Sequence, residues 1–222
     1  MFSSSSSDLF HPLKAMAAVV LLATMSAVTF TVQAAGSCEG TSLDDALAVV
    51  RDSTNQLFAA AKAYDGVLSE DPARARELID EIITPHVDLK GFSKLVLGKY
   101  WRRATPQQQK RFLTHFHALA LRSYATVLTA NTDIPIEYLP MREESRENFA
   151  TVRTVMNLAG GDGLKVNYRL YCRNNVWKLF DVNIAGISMV ITIRSAMLAE
   201  VKKSGLDGLI KVLEKKSREV GT

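Results

Sequence analysis

The sequence predicts an α+β fold, a four-stranded antiparallel sheet with about six helices packed over it. Three observations carry this. Apolar residues recur at helical spacing up to about residue 130; the period drops from 3.6 to 2 after Asn131; and helical spacing returns beyond Gly186. No internal repeat is evident, and the one low-complexity segment is the serine run Ser3–Ser7.

The first 35 residues read as a secretory leader. Lys14 supplies the positive charge, 15–30 is apolar, and Thr31-Val32-Gln33-Ala34-Ala35 is small and polar, with cleavage expected after Ala34 or Ala35. The apolar run is short against the roughly 20 residues of a spanning helix. Residues 36–222 then suit one domain with a sizeable core.

Within that domain each element has its own signal. Leu43, Leu47, Val50, Leu57, Ala61, Tyr64 and Leu68 predict a first helix over 43–68. Asp71-Pro72 opens a second, because Asp accepts from the first free N–H groups and Pro lacks an N–H where none is needed. It runs to about Ile83 with Leu78, Ile79, Ile82 and Ile83 on its inner side, and Pro85 stops it. A short helix covers 89–101. Thr105-Pro106-Gln107-Gln108 opens the fourth as a capping box, and Phe112, Phe116, Leu119, Ala120, Tyr124, Val127 and Leu128 form one wide apolar stripe to about 130.

Strands follow. Ile134, Ile136 and Tyr138 alternate up to Pro140; Val152, Thr154, Met156 and Leu158 share one side of a strand over 149–158. Gly160-Gly161-Asp162-Gly163 supplies a hairpin turn. Leu164, Val166, Tyr168, Leu170 and Cys172 alternate with Lys165, Asn167, Arg169 and Tyr171, and Asn174-Asn175 makes a second turn. The strand 176–184 is apolar on both sides for part of its length, as a strand covered on both faces is. Gly186 reads as the end of the sheet, and 187–203 and 207–220 as two final helices divided at Ser204-Gly205.

Several function classes fall away. The net charge is +4, and losing the leader does not change it, since one Lys and one Asp go together. There is no arginine-rich run and no aromatic–basic alternation of the kind single-strand binders use, so nucleic acid is not expected. An exported basic protein more naturally meets anionic lipid or acidic partners. Basic residues gather at Lys94, Lys99, Arg102, Arg103, Lys110 and Arg111, and again at Lys202, Lys203, Lys211, Lys215, Lys216 and Arg218. They read as solvated faces or as docking surfaces.

Catalytic residues are hard to nominate. His115 and His117 point about 200° apart on a helix and cannot share one ligand. His86 follows a helix end. Two cysteines and scattered histidines give no zinc spacing. Asp181, inside Phe180-Asp181-Val182, has two readings. It accepts backbone N–H bonds, or it serves as general base with Tyr168 as oxyanion donor in a small cavity enzyme acting on an apolar substrate. Cys38 and Cys172 are free to pair in an oxidising compartment, and the sequence leaves this open. Ala35-Gly36-Ser37-Cys38 also loosely matches a lipoprotein box, in which Cys38 would be acylated.

Three strings carry a family resemblance: FSKLVLGKYWRRATPQQQ at 92–109, WKLFDVNIAGISMV at 177–190 and KSGLDGLIKVL at 203–213. In order and spacing they resemble the MlaC, or toluene-tolerance (Ttg2-type), family of periplasmic phospholipid-binding proteins of the Mla lipid-asymmetry pathway. The match runs from about residue 42 to 217. The resemblance implies helices wrapping the sheet as a nuclear-transport-factor-like cone around a deep apolar pocket for acyl chains. With the alternating strand faces and the helix stripes, the expected lining is Leu95, Val96, Tyr100, Phe116, Ala120, Tyr124, Val152, Thr154, Met156, Val166, Tyr168, Leu170 and Ile187. It further implies a carrier rather than an enzyme, with phospholipid as ligand, no cofactor and no metal. The implied partners are an inner-membrane ABC transporter complex and an outer-membrane lipoprotein–porin complex. The cysteine pair and the lipoprotein-like box are not hallmarks of that family, and an acylated Cys38 would tether the chain.

Overall fold

A computed structural model describes residues 38–64, 68, 70–130, 134–142, 148–157 and 163–218. The leader, Leu158 and most of the turn at 160–163 lie outside them.

Local capping chemistry sets the helix starts. Helix α1 (Leu43–Ala63) opens on a capping box: Ser42 Oγ accepts from Asp45 N at 3.2 Å, and the Asp45 carboxylate accepts from Ser42 N at 2.6 Å. Those bonds hold the Asp45 pKa below the usual carboxylate range. At α2 (Pro72–Ile82), Asp71 accepts from Ala73 N and Arg74 N at 3.1 and 3.0 Å. A 3-10 turn, Thr84–His86, leads to α3 (Leu89–Leu97), where Asp88 accepts from Gly91 N at 2.8 Å. After α4 (Lys99–Arg103), α5 (Pro106–Ala130) begins on the expected box, with Thr105 and Gln108 bonding reciprocally at 3.1 and 2.9 Å.

One helical expectation changes and another holds. The segment expected to be one helix over 89–101 breaks at Gly98, whose φ of 54° and ψ of −117° suit glycine alone. The two final helices divide where expected: α6 (Met189–Arg218) is interrupted at Gly205, whose φ of 73° and ψ of 178° are not helical, so helical backbone stops there and resumes beyond it.

Five strands, not four, form the sheet: β1 (Ile136–Tyr138), β2 (Phe149–Met156), β3 (Leu164–Arg173), β4 (Val176–Ile184) and β5 (Ile187–Ser188), antiparallel in that order. The fifth was missed because Gly186 does not end the sheet. Ala185 and Gly186, at φ 49° and 88°, turn the chain so that Ile187 pairs with Ile184.

Register assigns the faces. Tyr138 and Val166 both oppose Thr154, Val152 opposes Tyr168, and Tyr168 opposes Val182, so these residues share one face. Helix α1 covers part of it, with Ala46 and Val50 packed against Ala150, Val152, Leu170, Cys172 and Trp177. A bulge between Arg169 and Leu170 leaves Phe180 as an extra residue. Phe180 packs beside Tyr171 and Phe149 under the Arg169 guanidinium. A second apolar cluster joins α3, α4, α5 and α6 around Val96, Trp101, Phe112 and Leu213, and a third joins α1, α2 and α5 around Ala61, Leu78 and Ala125.

Cys38 and Cys172 are joined in a disulfide, with Cα atoms 6.0 Å apart and a sequence separation of 134. The sulfur that the lipoprotein reading would acylate is therefore bonded within the chain. Among the described residues no helix is long and apolar enough to cross a membrane.

Candidate functional site

The face shared by Tyr138, Thr154 and Tyr168 lies within electrostatic reach of Tyr124 on α5. Val152, Thr154, Val166 and Leu170 are fully or almost fully buried on it, Met156 and Tyr168 half-buried. The Thr154 hydroxyl donates to the Val166 carbonyl at 3.0 Å, which keeps this polar group satisfied within the sheet. Burial pushes the Tyr168 phenol pKa well up; the Tyr138 and Tyr124 phenols add to that, and a bond with Thr154 opposes it. Burial likewise raises Tyr138, whose ring lies 5.3 Å beneath the Arg51 guanidinium of α1.

Tyr124, on α5, combines two properties. It is 53% exposed, yet desolvation raises its pKa, with the Asp181 charge adding. Helix α5 packs on α2, α3 and α6. The Tyr124 and Tyr138 phenols, from α5 and β1, both act on the Tyr168 phenol of β3, beside apolar strand residues. Such a surface accepts alkyl groups and offers uncharged donors to ester or phosphate oxygens.

The remaining expected lining residues are spread over α3, α4, α5 and β5. Val96 and Phe116 belong to the helix cluster, with Tyr100 at its edge and Phe116 stacked on Phe92 and Phe112 at 5.4 Å each. Ala120 is half-buried on α5. Leu95 and Ile187 stand at the surface, 44% and 62% exposed. Arg51 was missed because no spacing within the sequence brings α1 onto β1. Tyr138 was legible as an alternating position of its strand but was not singled out.

Asp181 is a structural carboxylate, which corrects the general-base reading. It is 3% exposed and accepts from Ser188 Oγ at 2.7 Å, Val190 N at 3.0 Å and Arg169 Nη1 at 3.3 Å. It pairs with Arg169 while Tyr168 pairs with Val182, so the supposed base and donor sit on opposite sheet faces. In effect Asp181 caps α6. The histidines are also held locally: His115 Nδ1 lies 3.3 Å from Ser217 Oγ, and His117 Nε2 lies 3.1 Å from Asp80 and 3.2 Å from Thr84. Burial, then the Lys178 charge, lowers the His86 pKa. Among the described residues no group of three His, Cys, Asp or Glu could hold a metal ion. Both basic clusters are exposed apart from Arg111, which pairs with Glu214 at 3.4 Å.

Known proteins give this geometry its context. A solved phospholipid-binding protein from Ralstonia solanacearum, in complex with a phospholipid, superposes with a TM-score of 0.72 at 26% identity, over 79% of this chain and 98% of that one. The intermembrane phospholipid transport system binding protein MlaC of Haemophilus influenzae is 24% identical over 174 residues, 77% of this chain and 81% of that protein. The toluene tolerance protein ttg2D of Pseudomonas putida is 27% identical over 162 residues, 72% and 74% of the two chains. The model of the MlaC protein family matches residues 51–215. The chain belongs to the MlaC protein family.

Proposed function

We propose that this chain is a periplasmic phospholipid carrier, its ligand's acyl chains lying between the Tyr138–Thr154–Tyr168 sheet face and the Tyr124 side of α5. The observation that carries the reading is the fold match to the Ralstonia protein, which was solved with a phospholipid and is covered over 98% of its length. The desolvated but water-accessible Tyr124 supports the placement.

The physics favours a carrier. Each buried CH₂ is worth on the order of 0.8 kcal/mol, so two acyl chains in water cost tens of kcal/mol. Lipid crosses an aqueous space only if its tails stay covered. The enclosure is of the nuclear-transport-factor-like cone type, formed by residues 36–222 once the leader is cleaved near Ala34-Ala35. Carriage needs no cofactor and no catalytic step. Partners would be an inner-membrane ABC transporter complex and an outer-membrane lipoprotein–porin complex, with lipid asymmetry of the outer membrane as the result.

Native mass spectrometry of protein purified without detergent tests the reading. Bound species with phospholipid masses are expected. Protein that flies without lipid, and takes none up from added phospholipid, would sink it.

A further inference from the structure

Three large aliphatic side chains stand in solvent on one side of the helical layer: Leu95, Ile187 and Ile191, the last 65% exposed. They are neighbours in the fold. The Arg194 side chain reaches from α6 to the Leu95 carbonyl, and its guanidinium lies against Gly98. Ile191 precedes Arg194 by about one turn on the same helix face. Ile187, in β5, leads directly into that helix.

The exposed charge beside them in the chain is mostly positive, and the flanking Asp88 and Asp181 carboxylates are bonded within the fold. Residues 89–106 contain Lys90, Lys94, Lys99, Arg102 and Arg103, residues 182–199 contain Arg194, and neither stretch contains an Asp or Glu. The first five are exposed. The Ala185 N–H donates to the Lys165 carbonyl at 2.9 Å, which brings one more exposed lysine beside the β4–β5 turn.

We propose that this pole, built from α3, α4, β5 and the start of α6, docks on an anionic lipid surface. Leu95, Ile187 and Ile191 enter the headgroup–acyl boundary while the surrounding lysines and arginines meet lipid phosphates. Charge complementarity selects the occupant. A ring of positive charge around aliphatic tips matches a plane of negative headgroups over hydrocarbon. The tips are purely aliphatic, Leu and Ile, which suits entry into hydrocarbon. The proposal concerns where the protein rests, not what it holds, and goes beyond carriage.

Vesicle flotation of the whole protein tests it. Binding is expected to phosphatidylcholine vesicles containing phosphatidylglycerol, not to phosphatidylcholine alone, and raising salt should release it. Lys94→Glu with Lys99→Glu should weaken binding more than about tenfold, since each basic residue near an anionic surface contributes about fivefold. Ile187→Ser with Ile191→Ser should weaken it by about tenfold or more through lost apolar burial. All four positions are exposed, so melting temperatures should not move. Val166→Trp, which alters the proposed lipid site, should float like the wild type, so loss of carriage and loss of docking read separately. Failure to bind anionic vesicles, equal binding to neutral ones, or an aliphatic variant that floats like wild type would overturn the proposal. So would capture of an acidic protein at this pole without any vesicle binding.

Discussion

Replacing Cys38 by serine removes the cross-link to Cys172 and leaves the buried Cys172 thiol as a small apolar group, so no new hydroxyl is placed beside Ala46 and Trp177. The bridge closes a loop spanning 134 residues of sequence. Chain-entropy arithmetic for that loop gives about 5 kcal/mol of stabilisation, above the roughly 2–4 kcal/mol that such bridges usually deliver. We expect a loss of about 3 kcal/mol, or a fall in Tm on the order of 10 °C for a domain of this size. Urea unfolding of wild type, Cys38→Ser and reduced wild type reads it directly. The two perturbed forms should agree with each other, and their m-values should rise, because the unfolded chain without the bridge exposes more surface. A Cys38→Ser midpoint within about 0.5 kcal/mol of wild type, the usual range for an inert surface change, would refute the cross-link as a stabilising element.

Three further outcomes are expected. Gly98→Ala forces a Cβ to 3.1 Å from Arg194 Nη2 at φ 54° and should cost about 1–3 kcal/mol in urea unfolding; a neutral change would mean the α3–α4 break relaxes freely. Tyr171 donates to Asp88, and burial, that bond and the Asp88 charge push its pKa from 10.0 up to about 12. The fold therefore favours the protonated phenol: its contribution is whole below pH 10 and disappears as pH rises toward 12, so Tyr171→Phe should flatten the stability–pH slope in that window, and an unchanged slope would count against it. Val166→Trp should leave the lipid-free melting temperature near wild type while bound phospholipid and the lipid-dependent rise in Tm both fall; strong destabilisation with unchanged lipid content would place Val166 in a packed core.

What the sequence made legible was local. Asp71-Pro72 and the Thr105–Gln108 box sit where their side chains cap helices, because a cap is decided within four residues. The change of period located β2, β3 and β4. Gly98 inside KLVLGKYW gave no sign of a break, since the Arg194 side chain that covers it comes from 96 residues away in the chain. β5 is two residues long and defined by its register with β4, which no periodicity announces. At the candidate site the strand alternation named Thr154, Val166 and Tyr168. The convergence of Tyr124, Tyr138 and Tyr168 depends on how α5 is held over the sheet, and that is a tertiary fact.

Asp88 and Asp181 act alike on the sheet's second face. Each caps a helix through a backbone N–H, Gly91 for α3 and Val190 for α6, and each bonds a β3 side chain, Tyr171 or Arg169. Meanwhile the apolar residues divide into three clusters rather than one continuous core. The helical layer is therefore tied to the sheet by polar as well as apolar contacts. Helix α1 lies on β2 and β3 through one apolar block, while α3 and α6 are fixed at their first turns by the two carboxylates. A helix pinned at its first turn keeps that end in place whatever lies against the rest of its length. Hydrogen exchange at Gly91 and Val190 should therefore stay slow whether the interior is filled or empty.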